Sequence, residues 1–199
     1  MQSVIDVDLA GFFDSIEHGL LVEIVRAKVA DPRFIRYLTR MLKAGVLRDG
    51  ELRTSEEGTP QGSMCSPVLA NIFAHEVVDV WFEDTVKRCC AGRVELFRYA
   101  DDLVICCQYA RDAERIRRAL GQRLAKYHLA LNETKTRLVQ FGRPKNTDSS
   151  ERGGVFDFLG FTFYWGRSRK GYAIPKVKTS GKRLRAKLKR VTAWIKNGA

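Results

Sequence analysis

Alternation of apolar and polar positions marks most elements of this chain. Val4, Asp6 and Asp8 alternate with Ile5, Val7 and Leu9, so residues 3–9 read as a half-buried strand with two acids on one face near its end. Asp14 or Ser15 is placed to cap a helix running through Leu21, Ile24, Val25 and Val29. Pro32 opens a second helix with Ile35, Leu38, Met41 and Leu42 as its buried stripe and Gly45 as its stop. Asp49-Gly50 between two short alternating runs predicts a hairpin over 46–53. Ser66 then caps, and Pro67 starts, a long helix whose inner face is Leu69, Phe73, Val77, Val80 and Trp81.

The second half follows the same logic. Two β-prone runs flank Asp101-Asp102 within 96–107, predicting a hairpin whose tight connection carries two acids. Residues 112–127 form a helix burying Ala113, Ile116, Leu120 and Leu124, and 137–141 a strand. The polar, Gly/Pro/Ser-containing run 143–154 reads as a linker or loop. Residues 155–165 read as strand, bend at Gly160, strand, with a further short strand at 172–174. Over 182–196, Leu184, Leu188, Val191 and Ile195 fall on one helical face and basic residues cover the rest.

Charge changes this picture at one end only. The net charge of +12 is carried by 166–199, which hold 12 Lys and Arg and no acid; the preceding residues balance. A neutral body with a basic end points to a polyanion held there, nucleic acid ahead of an acidic membrane surface. Five cysteines, two pairs of them vicinal and none spaced Cys-x-x-Cys, point to reduced thiols and a cytoplasmic setting. His18, His75 and His128 have no zinc-like spacing, and no apolar run is long enough to span a membrane.

The Asp101-Asp102 pair needs a physical reason. Two carboxylates about 4 Å apart repel by roughly 4 kcal/mol at an effective dielectric near 20. A shared cation relieves that repulsion, and magnesium, with its hard oxygen ligands, suits the donors. Aspartates are also ordinary turn residues, so the pair alone does not decide. The Gly/Pro-rich loop 57–67 lets backbone N–H groups approach a phosphate or base, and Lys135 stands in a polar turn from which an ammonium can reach a cleft.

The order of these stretches resembles the reverse transcriptases, or maturases, encoded by bacterial group II introns. The likeness is carried by Asp6-Val7-Asp8-Leu9 with Gly11-Phe12-Phe13-Asp14, by Gly58-Thr59-Pro60-Gln61-Gly62-Ser63, by Arg98-Tyr99-Ala100-Asp101-Asp102, by Leu131-Asn132 with Lys135-Thr136, and by Phe156-Asp157-Phe158-Leu159-Gly160-Phe161. The resemblance implies an α+β polymerase palm over 1–165, a small antiparallel sheet backed by helices. Residues 166–199 would be a basic C-terminal segment beginning a truncated thumb.

It further implies an RNA-directed DNA polymerase that binds two Mg2+ ions, with Mn2+ as a substitute, through Asp8, Asp101 and Asp102, Asp6 falling outside the match. Lys135 would stand near the departing pyrophosphate, Phe13 against the sugar 2′ position, and Gln61 with Gly62 near the nascent base pair. Lys182, Arg183, Arg185, Lys187, Lys189 and Arg190 would track nucleic acid. The partners implied are an RNA template, for which group II intron RNA is the candidate, a DNA primer or target, and dNTPs, with no membrane. Because the fingers region such proteins place before the first palm strand is not in this sequence, the expectation is a fragment with weak or no activity alone in the bacterial cytoplasm. The alternatives are a noncatalytic maturase-derived RNA-binding protein and a retron or CRISPR-linked reverse transcriptase.

Overall fold

The computed structural model describes residues 1–44, 46–48, 51–53, 57–58, 65–144 and 153–196. Its centre is a four-stranded antiparallel sheet ordered β5-β6-β1-β8, formed by β1 (Ser3–Val7), β5 (Val94–Tyr99), β6 (Asp102–Cys107) and β8 (Arg137–Gln140). The side chains of β1 and β6 alternate between two hydrophobic clusters, which fixes the register against slippage. Ile5, Val7, Leu103 and Ile105 enter the large core with the helices. Val4 and Val104 enter a smaller cluster on the other face, with Phe141 and Phe156.

The helices pack on the large-core face. α1 (His18–Arg26) and α2 (Pro32–Lys43) pack as neighbours, and α5 (Ala110–Ala125) packs on the sheet against β1 and β6. Asp31, rather than a residue within α2, caps it by accepting the Arg33 N–H at 2.8 Å, and Pro32 takes the first turn. Ile35, Leu38 and Leu42 are buried as the periodicity predicts, but Met41 is 37% exposed.

α1 begins later than the capping residues suggest. Phe12–Asp14 makes a single 3₁₀ turn, and Glu17 is extended because it bridges to Glu57. The Gly58 N–H donates to the Ile16 carbonyl at 2.8 Å and His18 Nε2 donates to the Gly58 carbonyl at 2.6 Å, so a long-range clasp holds 16–17 out of the helix. Ser66 likewise is the first helical residue of α3 (Ser66–Ala74), with Cys65 at the cap position.

α3 runs on through wide π-type turns at His75–Val80 and Phe82–Val86 into a last turn, α4 (Lys87–Cys89). Wide turns shift the buried face: Phe73, Val77, Val78, Phe82 and Val86 are buried, whereas Val80 and Trp81, expected inside, are only half-buried. Arg123 of α5 donates to the Val77 and Glu76 carbonyls at 3.0 and 3.3 Å, groups that the widened ladder presents sideways.

Two short pairings complete this body. β2 (Leu9–Ala10) pairs with β7 (Ala130–Leu131), and β3 (Val46–Arg48) with β4 (Glu51–Arg53), the hairpin expected there. A three-stranded sheet ordered β11-β10-β9 follows, made of β9 (Phe156–Phe158), β10 (Phe161–Arg167) and β11 (Ala173–Thr179). β11 is longer than the 172–174 run suggests, since Pro175 is tolerated on an edge strand opposite Trp165. The division expected at 165/166 falls inside β10. α6 (Gly181–Lys196) closes the described chain with no buried residue, and Leu184, Leu188, Val191 and Ile195 are all exposed.

Candidate active site

Strand register brings the distant acids together. In the β1–β6 pairing Asp6 faces Val104 and Val7 faces Leu103, so Asp8, the next residue, comes opposite Asp102 at the end of the ladder. β5 and β6 are joined by two residues only, Ala100 and Asp101, because Tyr99 pairs with Asp102. Val7 and Leu103 point into the large core; by the pleat, Asp8 and Asp102 leave on the opposite face.

The electrostatics record that convergence. Partial desolvation and the adjacent Asp101 carboxylate push the Asp102 carboxyl above the usual carboxylate range; Arg183 of α6 pulls it back, and the charges of Asp8 and Asp6 add to the upward push. Asp6 itself forms an ion pair with Arg137, 2.7 Å away.

Asp8 is held through its backbone. Its carbonyl accepts the Asn132 N–H at 2.8 Å and the Thr136 hydroxyl at 3.3 Å, while its own N–H reaches the Thr136 oxygen at 3.3 Å. The β2–β7 pairing delivers Asn132 to that place, and the turn after it closes through the Thr136 N–H on the Asn132 carbonyl at 2.8 Å. Lys135 stands on this turn with its Nζ 3.5 Å from Asp8 Oδ2. Asp8, Asp101, Asp102 and Lys135 are thus assembled from three separate segments.

The sequence reading assigns no role to Arg98 or Asp79, yet the two are joined beside the acid-bearing turn. Arg98 Nε and Nη2 donate to Asp79 Oδ1 and Oδ2 at 2.8 and 2.6 Å, and Nη1 donates to Asn71 Oδ1 at 2.9 Å and to the Ala100 carbonyl at 3.1 Å. One guanidinium therefore ties the acid-bearing turn to the long helix. The available signal was Asp79, a lone acid inside the apolar run 77–81.

Two turns store backbone strain beside this face. Ala100 has φ 54°, and Leu159, with Gly160 at φ 84°, has φ 50°. The left-handed region costs a non-glycine residue roughly 1–2 kcal/mol. Such residues persist where the surroundings over-determine them, which is common at functional sites. A Cβ on Gly160 would lie 3.4 Å from Arg183 Nη1, so the first turn of α6 sits on the β9–β10 turn. The Ser180 N–H fastens it there by donating to the Gly160 carbonyl at 2.8 Å.

The other expected site residues are placed as follows. Phe13 packs partly buried against the large core, edge-on to Phe12 with centroids 5.3 Å apart. Gln61 and Gly62 lie outside the described residues. Lys182, Arg183, Arg185, Lys187, Lys189 and Arg190 are exposed on α6, and the charge of Arg183 reaches Asp102.

The donor chemistry suits a divalent cation shared with phosphate oxygens, since hard carboxylates stand near one another and desolvation with the neighbouring Asp101 charge already disfavours the ionised form of Asp102. A ready-made cage is another matter. Among the described residues no three His, Cys, Asp or Glu side chains form a metal-ligand group, and Asp8 is turned to Lys135. The expected three-carboxylate grip is therefore represented by juxtaposed acids rather than a closed ligand set.

Comparison with known proteins agrees with this geometry. Residues 1–163 match the family model described as reverse transcriptase (RNA-dependent DNA polymerase). The chain is 42% identical over 73 residues to Protein YkfC of Escherichia coli K12, covering 37% of this chain and 19% of that protein. It is 37% identical over 73 residues to the group II intron-encoded protein LtrA of Lactococcus lactis, covering 37% of this chain and 12% of that protein. It thus spans a fifth or less of these curated relatives. In fold it is similar to the apo telomerase of Candida tropicalis, with a TM-score of 0.65 at 14% identity over 89% of this chain and 32% of that one. With the family match running through most of its length, the chain belongs to the reverse transcriptase (RNA-dependent DNA polymerase) family.

Proposed function

We propose that this chain is the palm and the beginning of the thumb of an RNA-directed DNA polymerase of group II intron type. The observation that supports it best is the register that sets Asp8 opposite Asp102 beside a two-residue turn carrying Asp101. The family works with divalent metal. Here the proposed ions are two Mg2+, with Mn2+ as a substitute, held by Asp8, Asp101 and Asp102. When bound, such ions lower the pKa of a primer 3′-hydroxyl and offset charge on the triphosphate.

The chain's own residues do the rest. Lys135, standing at Asp8, supplies a mobile positive charge and a proton for the leaving pyrophosphate. Arg98 holds the acid turn in place through Ala100. Phe13 is proposed as the side chain against the sugar 2′ position, with Gln61 and Gly62 near the nascent base pair. The exposed cations of α6 track the template–primer backbone, entering next to the acids through Arg183. The proposed template is RNA, with group II intron RNA the candidate. None of the five cysteines is joined in a disulfide, which suits the proposed bacterial cytoplasm.

Primer extension by the 199-residue chain on an RNA template, with Mg2+ or Mn2+, tests the proposal. Incorporation that disappears in Asp101→Ala while RNA binding persists supports it. RNA binding without incorporation under either metal, in a chain that also retains its fold, supports a noncatalytic RNA-binding role instead.

A further inference from the structure

Helix α2 carries a second surface that the polymerase reading does not use. It packs through Ile35, Leu38 and Leu42 into the large core, on the sheet face opposite the acids. Its outer side bears two adjacent stripes. Arg33, Arg36, Arg40 and Lys43 form one, and Phe34, Tyr37 and Met41 the other, each spaced by three or four residues as neighbours on a helix are. Phe34, Tyr37 and Met41 are 48%, 71% and 37% exposed.

This composition is unlike a merely solvated helix face. Such a face mixes charge signs and has no need of exposed rings. α2 contains no acid, and none of its four cations enters an ion pair among the described residues. Arg40 and Lys43 gain something from the helix C-terminus, but Arg33, in the first turn, opposes the dipole there. The groove between α1 and α2, about 370 Å³, has Glu17 and Glu23 beside Arg26 and Lys43, a mixed lining that suits a polyanion less well than the outer face does.

We propose that this face docks a single-stranded stretch of nucleic acid, separate from the template–primer at the acids. The cationic stripe follows the phosphates while Phe34 and Tyr37 stack on unpaired bases, an arrangement that needs no particular sequence. The inference rests on the reading above only in taking a polynucleotide as the partner. Charge complementarity selects that partner, because four unpaired cations beside two open rings match a chain of phosphates and bases.

The test measures binding of labelled oligouridylate, oligodeoxythymidylate and a blunt duplex across a salt series. Arg33→Ser/Arg36→Ser/Arg40→Ser should weaken single-strand binding about tenfold at low salt and reduce the slope of log affinity against log salt by about 2. Phe34→Ala/Tyr37→Ala should cost about fivefold or more on single strands and leave duplex binding unchanged. The corresponding triple Arg→Lys variant should keep the parent slope. Comparison of the RNA and DNA arms identifies which strand is preferred.

Unchanged affinity and slope in the serine variant overturn the proposal. So do equal losses on single strands and duplex, failure of the lysine variant to keep the slope, or loss of a bound protein partner with oligonucleotide binding intact. Nucleotide incorporation on a self-priming hairpin separates this from the polymerase reading. Binding that depends on α2 without incorporation by the parent chain removes that reading and leaves this one. Incorporation with binding indifferent to α2 does the reverse.

Discussion

The guanidinium of Arg98 grips the Asp79 carboxylate with two bonds of 2.8 and 2.6 Å while a third nitrogen holds the carbonyl of Ala100, the residue before the paired acids. Only a planar fork can serve the carboxylate and the turn together. Arg98→Lys keeps the charge and loses that geometry. It should lower the melting temperature by several degrees, for about 2 kcal/mol of lost charge-assisted hydrogen bonding. Incorporation should fall about tenfold or more, beyond what unfolding accounts for at the assay temperature. A lysine variant that melts early yet polymerises normally would show that the strut serves stability alone.

Ala100 at φ 54° makes an opposed pair of predictions. Ala100→Gly removes the left-handed strain and, after the extra chain entropy of glycine, should leave stability unchanged or raised by up to about 1 kcal/mol. Ala100→Val puts a β-branched residue where the backbone disfavours it most, and should cost about 2 kcal/mol or more. Thermal melts of the two variants against the parent check both signs.

Lys135 lies 3.5 Å from Asp8, and both side chains are substantially open to solvent, so the pair adds little to stability. Its importance should show in turnover. Lys135→Met keeps the aliphatic stem and removes the charge; incorporation should fall by about 10²-fold, the scale expected for one electrostatic contact in a transition state. Template–primer affinity should stay within about twofold. Loss of affinity with normal turnover would instead make Lys135 a backbone-binding residue.

What the chain's letters disclose depends on how local the cause is. The hairpin over 96–107 was legible because its two strands and connection lie within a dozen residues, and the α5 stripe of Ala113, Ile116, Leu120 and Leu124 because one helix sets its own period. Asp8 and Asp102 are different. Nothing in their spacing places them opposite each other; the β1–β6 register does, and the resemblance of the motifs stood in for it. The start of α1 was misplaced because the clasp to Gly58 is made by residues about 40 positions apart. The shifted burial in the long helix follows from wide turns that a period of 3.6 does not anticipate. The apolar stripe of α6 was readable as a stripe, but periodicity says nothing of whether a partner covers it, and among the described residues it lies open.

Cys107 gives a pH prediction whose sign is settled by burial. The thiol is fully buried in the large core, and desolvation is the main cause that pushes its pKa from 9.0 up to about 12. In the unfolded chain the thiol ionises first, so its contribution to stability is complete below pH 9.0 and is lost as pH rises toward about 12. Over that window this one group should tilt stability downward by at most about 1.4 kcal/mol per pH unit. Cys107→Ala should remove that slope, at a constant cost for the vacated volume, when denaturation midpoints are compared across alkaline pH. The same burial governs reactivity. Mild alkylation of the native protein, read by mass spectrometry, should label exposed Cys65 and Cys89 and spare Cys107 until denaturant is added. Early modification of Cys107 would mean that the sheet opens locally far more readily than its packing between β1 and α5 implies.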